Sequence, residues 1–231
     1  MDLLPADTTL DERVRSAATV LLPVGSLEQH GPHLPLTTDT VVAAVLAAEI
    51  EGAHPVRRLP PLTFSCSHEH AAWPGTVSIS ATTLVAVVAD VAASLHAAGA
   101  ASLVLVNGHG GNYVLGNVVQ EAGVRGPLPM ALFPAEADWE EARAAAGLVT
   151  TGAVDMHAGE LETSVLLHAR PDLVGELGPD LDHTADDRRD LLARGMGAYT
   201  ASGIIGRPSL ASPDKGRGVL ASLVTAFARL L

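Results

Sequence analysis

Between Pro23 and Asp39 the chain reads PVGSLEQHGPHLPLTTD, which puts a carboxylate (Glu28), an imidazole (His30) and a second carboxylate (Asp39) on one stretch. Glu28 and His30 are two residues apart, so in extended backbone their side chains lean to the same side. Pro32 and Pro35 stiffen the path to Asp39. Mixed nitrogen and oxygen donors on a loop shaped by glycine and proline suit a hydrolytic transition-metal site. A second run, NGHGGN at 107–112, offers His109, and a third, DMHAGELETS from Asp155 to Ser164, offers His157, Glu160 and Glu162. Three such runs on separate segments point to one metal centre assembled by the fold. His33, three residues beyond His30, suits a hydrogen-bonding support for a ligand equally well.

Each run has a plainer reading. Loops carry Asp, His and Glu routinely, and an acidic first helical turn is stabilised by the macrodipole without any metal. NGHGGN follows a strand and precedes a helix, as phosphate loops do. It lacks the P-loop lysine, however, and Tyr113 stands where the dinucleotide fingerprint needs its third glycine. Gly108, Gly110 and Gly111 instead let backbone approach a ligand while His109 points into the site. On the third run His157 and Glu160 share a helix face, whereas Glu162 lies well around the helix from Glu160. Glu160 is therefore the expected ligand there. In SCSHEH and the following WPG, Ser67, Glu69, His70 and Trp73 are placed to line a substrate pocket, and no serine has the G-x-S-x-G context of a nucleophile elbow.

The elements that must position these residues alternate between strand and helix. Strands are expected at Ala18–Val24, Val56–Phe64, Thr76–Ser80, Ser102–Val106 and Pro129–Phe133. Helices are expected at Thr40–Ile50 (capped by Thr38 or Asp39), Ala81–Ala98 (capped by Ser80 and stopped by Gly99), Asn112–Ala122 and Ala158–Ala169. A last one opens at Ser212 and Pro213. Alternation of this kind implies an α/β fold with a parallel sheet covered on both faces, whose ligands bind beyond the carboxyl ends of the strands. Glu28, His30 and His109 all fall just past expected strand ends.

Composition narrows the class further. The 231 residues suit a single domain, 1–231, with an aliphatic core, since 48% are hydrophobic but only 3% aromatic. A net charge of -12 opposes a nucleic-acid surface, and some of it would be neutralised by bound cations. Cys66 is the only cysteine, so no intramolecular disulfide forms, which fits a reducing compartment. With no signal-peptide pattern and no apolar run near the roughly 18 residues of a membrane span, a soluble cytoplasmic protein is expected.

The segments GSLEQHGPHLPLTTD, WPGT, LVLVNGHGGN and HAGELETS, in that order, resemble the defining motifs of the creatininase family of metal-dependent amidohydrolases. They span Val20 to about Pro171, with a weaker echo in GIIGRPSLASPDKG. The resemblance implies a three-layer α/β sandwich, often hexameric, with two divalent metals at the sheet rim. It implies that Glu28 and His109 bind one metal, that His30 binds the other, and that Asp39 bridges them. The creatinine-hydrolysing members carry a glutamate ligand two residues after the histidine of NGH, where this chain has Gly111. Glu160 is the candidate replacement; in those members its position is apolar, while Glu162 has a counterpart. Members of the GGN type include a formamide-cleaving deformylase and the peptidase that trims the mycofactocin precursor.

The expected function is thus hydrolysis of an amide, cyclic amide or formamide of a small molecule by a hydroxide shared between two cations, with zinc, manganese or iron equally suited. His157 polarises the carbonyl or protonates the leaving nitrogen, and Glu162 takes the attacking proton or orients His157. Ser67, His70, Trp73 and Gly110 shape the pocket of a homo-oligomer, for which the resemblance implies a hexamer. The alternatives are a mycofactocin-type peptidase and a non-catalytic module cradling phosphate in NGHGGN.

Overall fold

The computed structural model describes residues 3–15 and 17–231. Its elements run α1 (Thr9–Arg15), β1 (Thr19–Val24), α2 (Thr38–Ala53), β2 (Val56–Arg58), α3 (Ala81–Ala97), β3 (Ser102–Asn107), α4 (Val114–Arg125), β4 (Met130–Phe133), α5 (Glu136–Ala145), α6 (Glu160–Ala169), α7 (Leu191–Arg194) and α8 (Pro213–Phe227). Among the described residues the strands form one parallel sheet in the order β2-β1-β3-β4.

Strands buried on both faces need apolar residues of both parities, and β1 and β3 supply them. Val20, Leu22 and Val24 of β1, with Leu103 and Leu105 of β3, pack beneath α3 and α4. Leu21, Val104 and Val106 pack on the other face, against α2, α6 and α8. Burying each such side chain contributes roughly 1.5–3 kcal/mol. The rings of Phe133 and Phe227 meet edge-on at 5.3 Å and tie β4 to α8. The result is the expected sheet between two helical layers.

Several boundaries differ from expectation. The second strand stops at Arg58, because Pro60 and Pro61 carry no N–H for a ladder; only Leu62 bridges back to Val24. Thr76–Ser80 is no strand: its amides bond to loops, Val77 N–H to Leu27 O and Ile79 N–H to Ser65 O. Helix α2 starts a residue or two early, so Thr38 and Asp39 sit inside its first turn instead of capping it. Ser80 and Ser212 do cap α3 and α8, accepting from Thr83 N–H and Lys215 N–H. Helix α5 was not anticipated, since its sequence EADWEEARAA buries only Ala142 and Arg143.

One close approach fixes the rim. A Cβ at Gly108 would lie 2.5 Å from the carbonyl oxygen of Asp39, so only glycine lets the loop after β3 rest on the first turn of α2. Among the described residues no helix is long and apolar enough to cross a membrane.

Candidate metal centre

The chain leaves β1 at Val24 into the loop that carries Ser26, Glu28, Gln29 and His30, then enters α2 with Asp39 in its first turn. The end of β3 delivers His109, and the segment ahead of α6 delivers His157 and then Glu162. All converge past the carboxyl ends of β1 and β3, the usual ligand position in an open parallel sheet.

Asp39 is the hub. Its Oδ1 lies 3.0 Å from His30 Nε2, its Oδ2 lies 2.8 Å from His109 Nδ1, and the Ser26 hydroxyl donates to Oδ2 at 2.7 Å. Burial opposes its charge, yet His30 and His109 hold the carboxyl well below the usual carboxylate range. The two imidazoles respond in kind. Burial works against their protons, but Asp39 carries His30 up to about 9, and Glu28 with Asp39 carries His109 up to about 10. Without a cation, protons on His30 and His109 supply the positive charge that the carboxylates require.

Glu28 is completely buried, and neither of its carboxylate oxygens makes a hydrogen bond. His70 Nε2 and His109 Nε2 each stand 3.2 Å from one of them without the alignment of a bond. Burial pushes this carboxyl up to about 8, against the pull of His109. A buried carboxylate whose oxygens accept no hydrogen bond is costly, and a cation would satisfy it. Among the described residues three groups have donor atoms within 4.8 Å of one another: Glu28–Asp39–His109, His30–Asp39–Glu162 and Glu28–His30–His157. The first two share Asp39, and their nitrogen and oxygen donors fit a pair of divalent ions of the zinc, manganese or iron type.

A match to the creatininase family model, described as creatinine amidohydrolase, runs over residues 6–231. The chain belongs to the creatininase family. Among its relatives is the mycofactocin precursor peptide peptidase of Mycobacterium ulcerans (strain Agy99), 35% identical over 223 residues, covering 89% of this chain and 81% of that protein. Another is the creatinine amidohydrolase of Pseudomonas putida, 27% identical over 244 residues, covering 94% and 90%. A solved creatininase structure with manganese superposes with a TM-score of 0.81 at 24% identity, covering 100% of this chain and 97% of the other, and shows the shared fold. As a creatininase-family protein the chain is a hydrolase acting on carbon–nitrogen bonds.

The family motifs bring Glu28, His30, Asp39, His109, His157 and Glu162 together, but not Glu160. The expectation that Glu160 joins the cluster is corrected by its surroundings. Its carboxylate accepts from Val149 N–H, Thr150 N–H and Thr150 Oγ1 at 2.6–3.1 Å, and from Lys215 Nζ at 2.5 Å. Helix α6 begins only at Glu160, and so the helix-face pairing of His157 with Glu160 does not exist. Ala158, at φ 54, instead turns its N–H to Glu162 Oε2 at 2.6 Å and holds that carboxylate 3.9 Å from His30 Nε2. Burial lifts the Glu162 carboxyl to about 7.

The pocket residues are also redistributed. Gly110 lines a cleft of about 510 Å³ beside the cluster, together with His109 and Glu162. Ser67, His70, Trp73 and His157 do not line it. Ser67 is fully buried; Trp73 packs with Leu191, Met196 and Tyr199. His70 belongs under the cluster, where Gln29 Nε2 meets its Nδ1 at 3.0 Å. Burial, then the nearby His109 charge, brings His70 down to about 3. His157 Nε2–H donates to Gln29 O at 2.7 Å, and burial drives its imidazole well below its ordinary value.

Gln29 and Ser26 were missed as site residues, and Glu69, expected at a pocket wall, stands beside His109 instead. Gln29 stands between two expected ligands, but nothing in its type or spacing reports that it props up His70 and donates to Gly203 O. Glu69 fills the space beside Gly111: a Cβ there would meet Glu69 Oε1 at 2.1 Å and His109 Nε2 at 2.4 Å.

Proposed function

We propose that this chain is a divalent-metal amidohydrolase that cleaves a peptide-type amide, with Glu28, Asp39 and His109 holding one cation and His30, Asp39 and Glu162 the other. The observation that carries this is Asp39, fully buried, with one oxygen on each of two imidazoles, beside the Glu28 carboxylate, whose oxygens accept no hydrogen bond. Bound there, divalent cations would polarise a substrate carbonyl and make water nucleophilic near neutral pH.

The chain's own residues orient and exclude. His30 Nδ1–H donates to Glu28 O at 3.1 Å, which turns Nε2 toward Asp39 and Glu162. His109 Nε2–H donates to Cys66 O at 2.8 Å, which turns Nδ1 toward Asp39. Such bonds fix which nitrogen is free. Glu162 belongs to the cluster and also faces the cleft, so it is the carboxylate placed to pass a proton between water and a leaving nitrogen. His157, committed to Gln29 O and set against the His30 ring at 4.1 Å, positions His30 and does not act as the acid.

The relation to the mycofactocin precursor peptide peptidases favours a peptide over a formyl group or a small ring, and a cleft of about 510 Å³ has room for one. Pockets of roughly 300–1,000 Å³ take ligands of that size. A phosphate module is disfavoured, because Glu28, Asp39 and Glu162 beside NGHGGN would repel an anion. The test is elemental analysis of the purified protein and of Asp39→Ala, paired with hydrolysis assays on capped peptides. Two equivalents per chain in the parent and none in the variant is the expected result. Two equivalents retained by the variant would overturn the bridging role.

A further inference from the structure

Beyond the candidate ligands, the cleft continues along α5. Glu136, Trp139 and Glu140 stand three and four residues apart on one helix face, and all three line it. Trp139 is half-buried, so part of its ring is open to an occupant. A side chain at Gly152 would meet Glu140 Oε1 at 2.7 Å, so the Glu140 carboxylate reaches across to the facing turn. Among the residues lining the cleft, Arg143 is the only arginine or lysine. It is already spent: Nη1 donates to Asp155 Oδ2 at 3.0 Å and Nη2 to Asp155 O at 3.0 Å.

The α5 wall of the cleft therefore offers an indole face and carboxylate acceptors but no free arginine or lysine. Along α5, away from the candidate metal ligands, a carboxylate-bearing segment would find no free arginine or lysine, and Glu136 and Glu140 would repel it. Unlike charges across a binding cleft favour a partner and like charges exclude one.

We propose that the cleft along α5 holds a neutral or basic segment of the peptide substrate against Trp139, with Glu136 and Glu140 reading its charge, and that it excludes acidic segments. This rests on the peptide-hydrolase reading above, and makes α5 the element that sets specificity. The reactive centre supplies the chemistry and this face selects what reaches it.

A library of N-acetylated, C-amidated hexapeptides, retained on the immobilised protein and read by mass spectrometry, tests the assignment directly. The parent should retain Lys- or Arg-bearing peptides over their Asp- or Glu-bearing counterparts by about fivefold or more, the upper end of what one exposed ion pair supplies. The double variant Glu136→Gln, Glu140→Gln should bring that ratio close to one. Trp139→Ala should lower retention of all members. Glu136 and Glu140 are exposed, whereas Trp139 also packs against the core, so thermal melting and metal content measured alongside show whether each variant remains intact. A charge ratio unchanged in the double variant, or no retention by the parent, would overturn the cleft assignment. If selective retention holds but no peptide is ever cut by the metal-loaded parent, the cleft stands and the hydrolase reading of its substrate fails.

Discussion

Glu160 and Glu162 are two residues apart at the start of one helix, yet they serve different partners. Glu160 Oε1 lies 2.5 Å from Lys215 Nζ, whereas Glu162 Oε2 lies 3.9 Å from His30 Nε2. Glu162→Gln should therefore lower metal occupancy while the fold persists. Glu160→Gln should keep metal content near the parent's and cost about 1–3 kcal/mol of stability, because it weakens the charged partner of Lys215 inside a buried network. Elemental analysis and thermal melting of both variants read the difference. Metal loss in Glu160→Gln without loss in Glu162→Gln would reverse the assignment.

Removing metal should destabilise the protein, because the Glu28 oxygens then lose the partner that the structure otherwise fails to give them. A ligand bound to the native state alone at about 100 times its Kd adds roughly 2.7 kcal/mol. Calorimetry after chelation, and again after adding back zinc or manganese, should show a fall and a recovery of the melting temperature. Superimposable melts would mean that no cation is held by the folded state.

Gly110 and Gly111 of the NGHGGN loop should differ sharply. Nothing lies within 4 Å of a Cβ at Gly110, while one at Gly111 would collide with Glu69 and His109. Gly110→Ala should keep its metal; Gly111→Ala should displace His109 and lose occupancy of the site shared with Glu28 and Asp39. Equal metal content in the two variants would show that His109 has room to yield.

His157→Ala separates support from chemistry. The imidazole is buried, and its loss removes the bond to Gln29 O and leaves a void against His30. Stability should fall by about 1–3 kcal/mol. Because His157 is absent from the cleft wall, His157→Gln, which can still donate to Gln29 O, should recover much of that loss and the accompanying turnover. A variant with the native melt and abolished turnover would return His157 to the role of acid that the sequence suggested.

The sequence carried much of this protein on its own. Both-parity apolar runs such as LVLV mark strands buried on two faces, and a strand end followed by Glu28–His30 or by His109 marks one sheet rim, because strand direction and side-chain period are local properties. The four motifs placed the family and, with it, the three-layer fold. Distances set by distant segments were beyond it. Whether Glu160 or Glu162 reaches His30 depends on where α6 begins, and that is decided by Asp155 accepting from the N–H groups of Glu160 and Leu161, by Ala158 at positive φ, and by Lys215 arriving from α8. Half of α5 is charged and most of the rest is alanine, so no periodicity announced that its Trp139 would wall the cleft. Residue type and spacing chose the donors; packing between segments far apart in the chain decided which of them meet.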